Sequence, residues 1–173
     1  MKSRWFAAVS IALALSFLPA RAAKGDPAIL AVVESFRTSI IEKDRERFLD
    51  LFVQRDVPWQ SVLDDKSLAR IKVQHPEAIK ARFKKDNNPV AFIDGIVASK
   101  NSSEETFSNI KVDSDGEVAT VTFDYSFLSN GKPTNSGKEC WILVRTEAGW
   151  KITTVAYSVT LAPPTGSPGS STE

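Results

Sequence analysis

The sequence predicts an α+β domain in which helices come first and a mainly antiparallel sheet follows. Up to Lys100 the apolar residues recur at helical spacing, and after it they alternate with polar residues as in strands with one buried face. The dipeptides Asp115-Gly116 and Asn130-Gly131 are hairpin turn signals between the alternating segments. Helices that precede a meander of four long strands are expected to pack on one face of a curved sheet.

The helical half begins at Asp26-Pro27, which has the form of an N-cap followed by a proline in the first helical position. The apolar residues behind this pair predict a helix to about Lys43, and Asp44 can cap a second, shorter helix. Three further elements are expected before the long strands, namely a short strand over 59–62, one or two helical turns over 65–71, and a helix from Asn88-Pro89 onward.

The strand half is expected to present its aromatic residues to the helices. In the second long strand Val121, Phe123, Tyr125 and Phe127 alternate with Thr120, Thr122, Asp124 and Ser126. The next strand, over about 136–146, places Glu139 and Trp141 on one face, and a last strand is expected over 150–160. The concave face of the sheet should therefore carry the aromatic side chains.

The two ends of the chain are expected to lie outside the folded domain, which we place at residues 26–161. Lys2 and Arg4, an apolar run over 5–18 and the small-x-small pattern at 20–22 predict a secretory signal peptide over residues 1–22. The alternative is an uncleaved anchor, although the run is shorter than the roughly 20 residues of a membrane span. The segment 162–173 is rich in Pro, Gly and Ser and predicts a disordered tail. We expect a secreted or periplasmic protein without a stable membrane anchor after cleavage.

The composition excludes several classes of site. A formal net charge of +1 over 173 residues gives no electrostatic basis for binding nucleic acid. One Cys and one His cannot build a Cys/His zinc site, and a single Cys cannot form an intrachain disulfide. The sequence shows neither a Gly-rich phosphate loop nor the spacing of metal ligands. We therefore expect no nucleic acid partner, no metal and no cofactor.

The C-terminal hairpin carries a family resemblance. Its residues are the run over 135–144, the segment Gly149-Trp150-Lys151-Ile152 and the pair Tyr157-Ser158. This hairpin resembles that of secreted bacterial proteins of the nuclear transport factor 2-like superfamily, the cystatin-like cone fold shared with SnoaL-like (polyketide cyclase-like) and ketosteroid isomerase-like proteins. The resemblance implies a pocket between the concave face of the sheet and the helices, mostly apolar with a few polar groups. It does not imply an activity, because this superfamily includes enzymes and proteins without known chemistry.

Seven residues are expected to line that pocket: Trp59, Phe92, Phe123, Tyr125, Glu139, Trp141 and Tyr157. A carboxylate in an apolar cavity has a raised pKa and can act as a general base. Glu139 is therefore the candidate base, and Tyr125 is the candidate donor to a developing enolate. The alternative is that Glu139 faces solvent or pairs with a cation such as Arg145.

The sequence favours ligand binding over catalysis. Its one histidine, His75, has no acidic partner at the spacing that polyketide dehydratase-like members show. We therefore expect a non-catalytic module that binds a small apolar or amphipathic ligand. The alternative is a small lyase or isomerase with Glu139 as base. A homodimer through the polar convex face of the sheet, at Thr120, Thr122 and Ser126, is also expected.

Overall fold

The computed structural model describes residues 26–81, 83–84 and 86–164. Over these residues the chain forms, in order, α1 (Pro27–Glu42), α2 (Arg45–Leu49), β1 (Trp59–Leu63), α3 (Asp65–Lys72), α4 (Pro89–Ala98), β2 (Ser103–Ser114), β3 (Val118–Ser129), β4 (Lys132–Thr146) and β5 (Gly149–Leu161). The predicted α+β order is confirmed. The predicted signal peptide and the tail residues 165–173 lie outside the described residues.

The predicted helix starts are set by side-chain caps. Asp26, Asp44 and Asn88 each accept a hydrogen bond from a backbone N–H two or three residues on, at 2.9, 3.1 and 2.9 Å. Each bond satisfies a donor that the first helical turn leaves without a partner. Lys43 ends α1 in the left-handed conformation. No helix in the described part of the chain combines the length and apolar character needed to cross a membrane.

The five strands form one mixed sheet in the order β1-β5-β4-β3-β2, with β1 parallel to β5 and the other neighbours antiparallel. Asn130-Gly131 makes the two-residue turn between β3 and β4, and both residues have positive φ, as a type I′ turn requires. The register shifts between Ser108 and Lys111 and at one point in each of the next two strand pairs. Such bulges bend and twist strands. They contribute to the curvature of the sheet around the helices.

The core lies between α1 and the concave face of the sheet, and Phe36 is at its centre. This side chain is fully buried, and its ring centroid lies 4.8 Å from that of Phe48 in α2 and 4.7 Å from that of Trp141 in β4. One helical side chain therefore connects the helices to the middle of the sheet. Tilted aromatic pairs of this kind add about 0.5–1.5 kcal/mol each beyond the area that they bury.

Candidate functional site

A cavity of about 390 Å³ lies between the concave face of the sheet, β1 and α4. Five aromatic side chains form its walls: Trp59, Phe92, Tyr125, Phe127 and Tyr157. Ser61, Leu63, Asn135 and Val159 also line it, and they are partly exposed, so the cavity opens to solvent along them. Its two acidic lining residues, Glu105 and Glu139, are buried.

Strand alternation and register bring these side chains together. Tyr125 and Phe127 point to the concave side of β3 because residues two apart on a strand share a face. Across the ladders, Glu139 is paired with Tyr157 and Glu105 with Phe127. The site is therefore assembled from all five strands and α4, and residues far apart in the sequence become neighbours.

Glu139 lies inside the cavity with 3% of its surface exposed. Its Oε1 accepts a hydrogen bond from the Trp141 indole Nε1–H at 2.5 Å, which holds the carboxyl group in one orientation. Burial raises the pKa of Glu139 from 4.5 to about 7, and the bond from Trp141 opposes part of this rise. Glu139 therefore neither faces solvent nor pairs with Arg145, the two alternatives that the sequence left open.

Glu105 is a second buried acid, which the sequence reasoning missed. Only 4% of its surface is exposed, and no hydrogen bond from a described residue reaches its carboxyl group. Burial, and then the negative charge of Glu139, raise its pKa well above the ordinary value. The available signal was its position two residues before Phe107, on the same face of β2. We call Glu105 and Glu139 the acid pair.

The two tyrosine hydroxyls in the cavity are already engaged. Tyr125 Oη lies 2.9 Å from the Ser158 backbone oxygen and 3.0 Å from Asn135 Oδ1, so its one proton is donated within the protein. Tyr157 Oη accepts from Trp59 Nε1–H at 3.3 Å. Burial raises the pKa of both phenols, which stay neutral. In this arrangement Tyr125 has no spare proton for a developing enolate.

Two of the seven expected pocket residues, Phe123 and Trp141, do not line the cavity. Both are completely buried, and their ring centroids lie 5.0 Å apart at nearly a right angle. Both side chains lie on the predicted face, but Phe36 of α1 packs on Trp141 and Phe107 of β2 packs on Phe123. Trp141 instead contacts the site through its hydrogen bond to Glu139. The other five residues, Trp59, Phe92, Tyr125, Glu139 and Tyr157, do line the cavity.

The one histidine, the one cysteine and the acid of the β3 alternation lie away from the cavity. His75 is exposed and has Glu77 3.6 Å away. Asp124, on the outer face of the sheet, forms an ion pair with Lys138 at 2.7 Å. Cys140 is half-buried on that same face. Among the described residues, no group of three or more His, Cys, Asp or Glu side chains is arranged to hold a metal ion.

Comparison with known proteins shows the fold. No family model matches the chain, and no curated protein matches it. A proposed dehydratase of the NTF2-like family from Streptomyces avermitilis aligns over 79% of this chain and 96% of its own, with a TM-score of 0.56 and 15% identity. A cystatin-like protein of unknown function from Nostoc punctiforme aligns over 80% and 92%, with a TM-score of 0.53 and 12% identity. An NTF2-like protein of unknown function from Shewanella baltica aligns over 79% and 94%, with a TM-score of 0.53 and 13% identity. The chain therefore has the cystatin-like fold of NTF2-like proteins.

Proposed function

We propose that this chain is an exported ligand-binding domain that holds one small amphipathic molecule in the cavity. The observation that carries the proposal is the acid pair at the buried end of an aromatic cavity. Its 390 Å³ falls within the range of roughly 300–1,000 Å³ typical of ligand pockets. At about 30 Å³ for each water in the liquid, the cavity has room for about a dozen waters or for a ligand of similar size.

A cavity of this kind is not an ordinary packing defect. Protein interiors are close-packed, and the few voids larger than a water are usually lined by apolar side chains when they are empty. Here two buried carboxyl groups lower the stability of the unoccupied domain, because burial disfavours their charged forms. Buried acids with perturbed pKa values inside a cleft are typical of functional sites.

The binding proposal is tested by thermal unfolding of the purified chain with a panel of small aromatic amines, alcohols and acids. A ligand at 100 times its Kd should stabilise the chain by about 2.7 kcal/mol. Ser61→Phe, which fills the cavity, should remove this stabilisation. Thr106→Phe, on the exposed outer face of β2, is the matched control and should keep it. If no compound raises the unfolding temperature of the unmodified chain, the proposal is wrong.

Export is tested separately by expressing the full chain in a bacterial host. We expect the mature protein in the periplasm or medium, with an N-terminus at Ala23 after cleavage behind Ala22. N-terminal sequencing or intact mass measures this directly. A chain that keeps residues 1–22 and stays in the cytoplasm would contradict export and leave the binding proposal unaffected.

A lyase or isomerase remains the second candidate, favoured by the position of Glu139. A carboxyl group with a pKa of about 7 inside a cavity suits a general base at neutral pH. The donor to the developing oxyanion would be the protonated form of Glu105 rather than Tyr125, whose proton is engaged. The assay is deuterium exchange from solvent into small ketones, followed by NMR. Exchange should vanish in Glu139→Gln and persist in Glu104→Gln, and exchange no faster than in buffer rejects this candidate.

A further inference from the structure

We infer that the ligand of this cavity is a cation, an amine or ammonium compound whose charged group contacts Glu105 and Glu139 and whose apolar body lies between the aromatic walls. The inference rests on the proposed ligand-binding function and adds the chemical class of the ligand. Two independent features of the described structure carry it. The acid pair lacks a positive partner, and aromatic rings surround the same space.

The first feature is the charge balance of the cavity. Both acids of the pair are more than nine-tenths buried, and no described Lys, Arg or His lines the cavity with them. Glu139 has one hydrogen bond, from a neutral indole, and Glu105 has none from a described residue. On the outer face of the sheet, by contrast, Asp124 has a cationic partner, Lys138, at 2.7 Å. A cationic ligand would supply the compensation that the acid pair lacks.

The second feature is the arrangement of the rings. The Trp59 centroid lies 5.1 Å from that of Phe92 and 6.2 Å from that of Tyr157, with the Tyr157 ring turned by 74°. The Tyr125 and Tyr157 rings are also nearly perpendicular, at 78°. Rings that surround one space at different angles present both edges and faces to it, and the face of an aromatic ring attracts a cation. Rings alone would accept any apolar ligand, but rings beside two unpaired acids favour a positive one.

The pH dependence of ligand affinity provides an independent test of the cation inference. The pair resists ionisation because both acids are buried and the charge of Glu139 disfavours a second charge on Glu105. The other titratable groups facing the pair, Tyr125 and Tyr157, stay neutral. A bound cation stabilises the ionised form, so binding must release protons near neutral pH. The affinity for a cation should therefore rise between pH 5 and pH 8, whereas the affinity for a neutral ligand of the same shape should not rise.

The experiment compares phenethylamine, phenethyl alcohol and phenylacetate by isothermal titration calorimetry on the full chain. These probes share an aromatic body and differ in charge. We expect the amine to bind at least about tenfold more tightly than the alcohol at pH 8, with proton release, and this ratio to shrink at pH 5. Glu105→Gln and Glu139→Gln should each weaken amine binding by about tenfold or more and leave alcohol binding nearly unchanged. Glu104→Gln, on the opposite face of β2, is the control and should bind the amine like the unmodified chain.

Each binding result decides between the cation inference and the ligand-binding proposal. Equal or tighter binding of the alcohol or the acid overturns the cation inference while the ligand-binding proposal stands. Stabilisation of the chain by neutral or anionic compounds alone has the same consequence. If nothing in the panel binds, both proposals fail. Should a Gln variant not fold, the amine-to-alcohol ratio of the unmodified chain at the two pH values still decides the question.

Discussion

Glu139→Gln should remove much of the stability loss that this protein suffers as the pH rises from 5 to 8. In the folded chain the pKa of Glu139 is raised from 4.5 to about 7 because the carboxyl group is buried. The folded state then holds its proton over a pH range in which the unfolded chain has lost it. The contribution of Glu139 to the unfolding free energy is therefore highest below pH 4.5. It falls as the pH rises toward 7 and levels off above 7.

The magnitude follows from the difference in pKa. At about 1.36 kcal/mol per pKa unit, the rise from 4.5 to about 7 corresponds to about 3 kcal/mol of unfolding free energy once Glu139 is fully ionised. Between pH 5 and pH 8 the loss from Glu139 is about 2–3 kcal/mol, because a small part has already occurred at pH 5. Glu105 adds to the loss in the same direction. Gln carries no charge, and its side-chain oxygen can still accept the hydrogen bond from Trp141.

The assay is urea unfolding at pH 5 and pH 8 for the unmodified chain, Glu139→Gln and Glu104→Gln. Five other carboxyl groups contribute little in this pH window, because hydrogen bonds lower their pKa values and they are ionised before pH 5: Glu34, Glu46, Asp64, Asp115 and Asp124. The unmodified chain and the Glu104→Gln control should lose stability between the two pH values, and Glu139→Gln should lose clearly less. An equal loss in all three proteins would refute the reasoning.

Three further predictions concern packing and assembly. Gly137→Ala should lower the unfolding free energy by about 3 kcal/mol in urea, because a Cβ there would lie 2.0 Å from the Ser158 backbone oxygen, and an unchanged midpoint would contradict this close approach. Phe123→Leu should cost about 1–2 kcal/mol by the same measurement and leave the ligand affinity unchanged, because Phe123 packs behind the cavity. We propose a homodimer through the outer face of the sheet, where Ile142 is 40% exposed beside Thr120. Light scattering should give twice the chain mass for the unmodified protein and a monomer for Ile142→Lys, and a monomeric unmodified protein at high concentration would reject the dimer.

Local signals in the sequence were sufficient for the order of elements and for most of the candidate site. Asp26, Asp44 and Asn88 act as helix caps where they were expected to, because an N-cap bond spans only two or three residues. Strand alternation correctly placed Tyr125 and Glu139 on the concave face, since side chains two apart share a face whatever the rest of the fold does. The hydrophobic pattern and short-range hydrogen bonds carry this information.

Glu105 was missed because its position in the site depends on long-range pairing between strands. It lies near the start of β2, beyond the stretch where the alternation was visible, and its place opposite Phe127 depends on the register of two strands. The engagement of the Tyr125 proton was also not readable, because its partner Ser158 belongs to a strand that is not hydrogen-bonded to β3. Pairing between strands is a long-range property that no local pattern specifies.

The sequence by itself determined that this chain forms an α+β domain with helices on the aromatic face of a curved sheet, because periodicity, caps and turn residues act over a few positions. Only the tertiary structure decided which part of that face is covered and which stays open. Phe36 covers Trp141 and Phe107 packs on Phe123, whereas the space beside Glu139 remains a cavity. How much of the aromatic face is covered depends on how far α1 extends over the sheet. The tertiary structure also brings two acids from separate strands into one buried space, where the charge of Glu139 raises the pKa of Glu105.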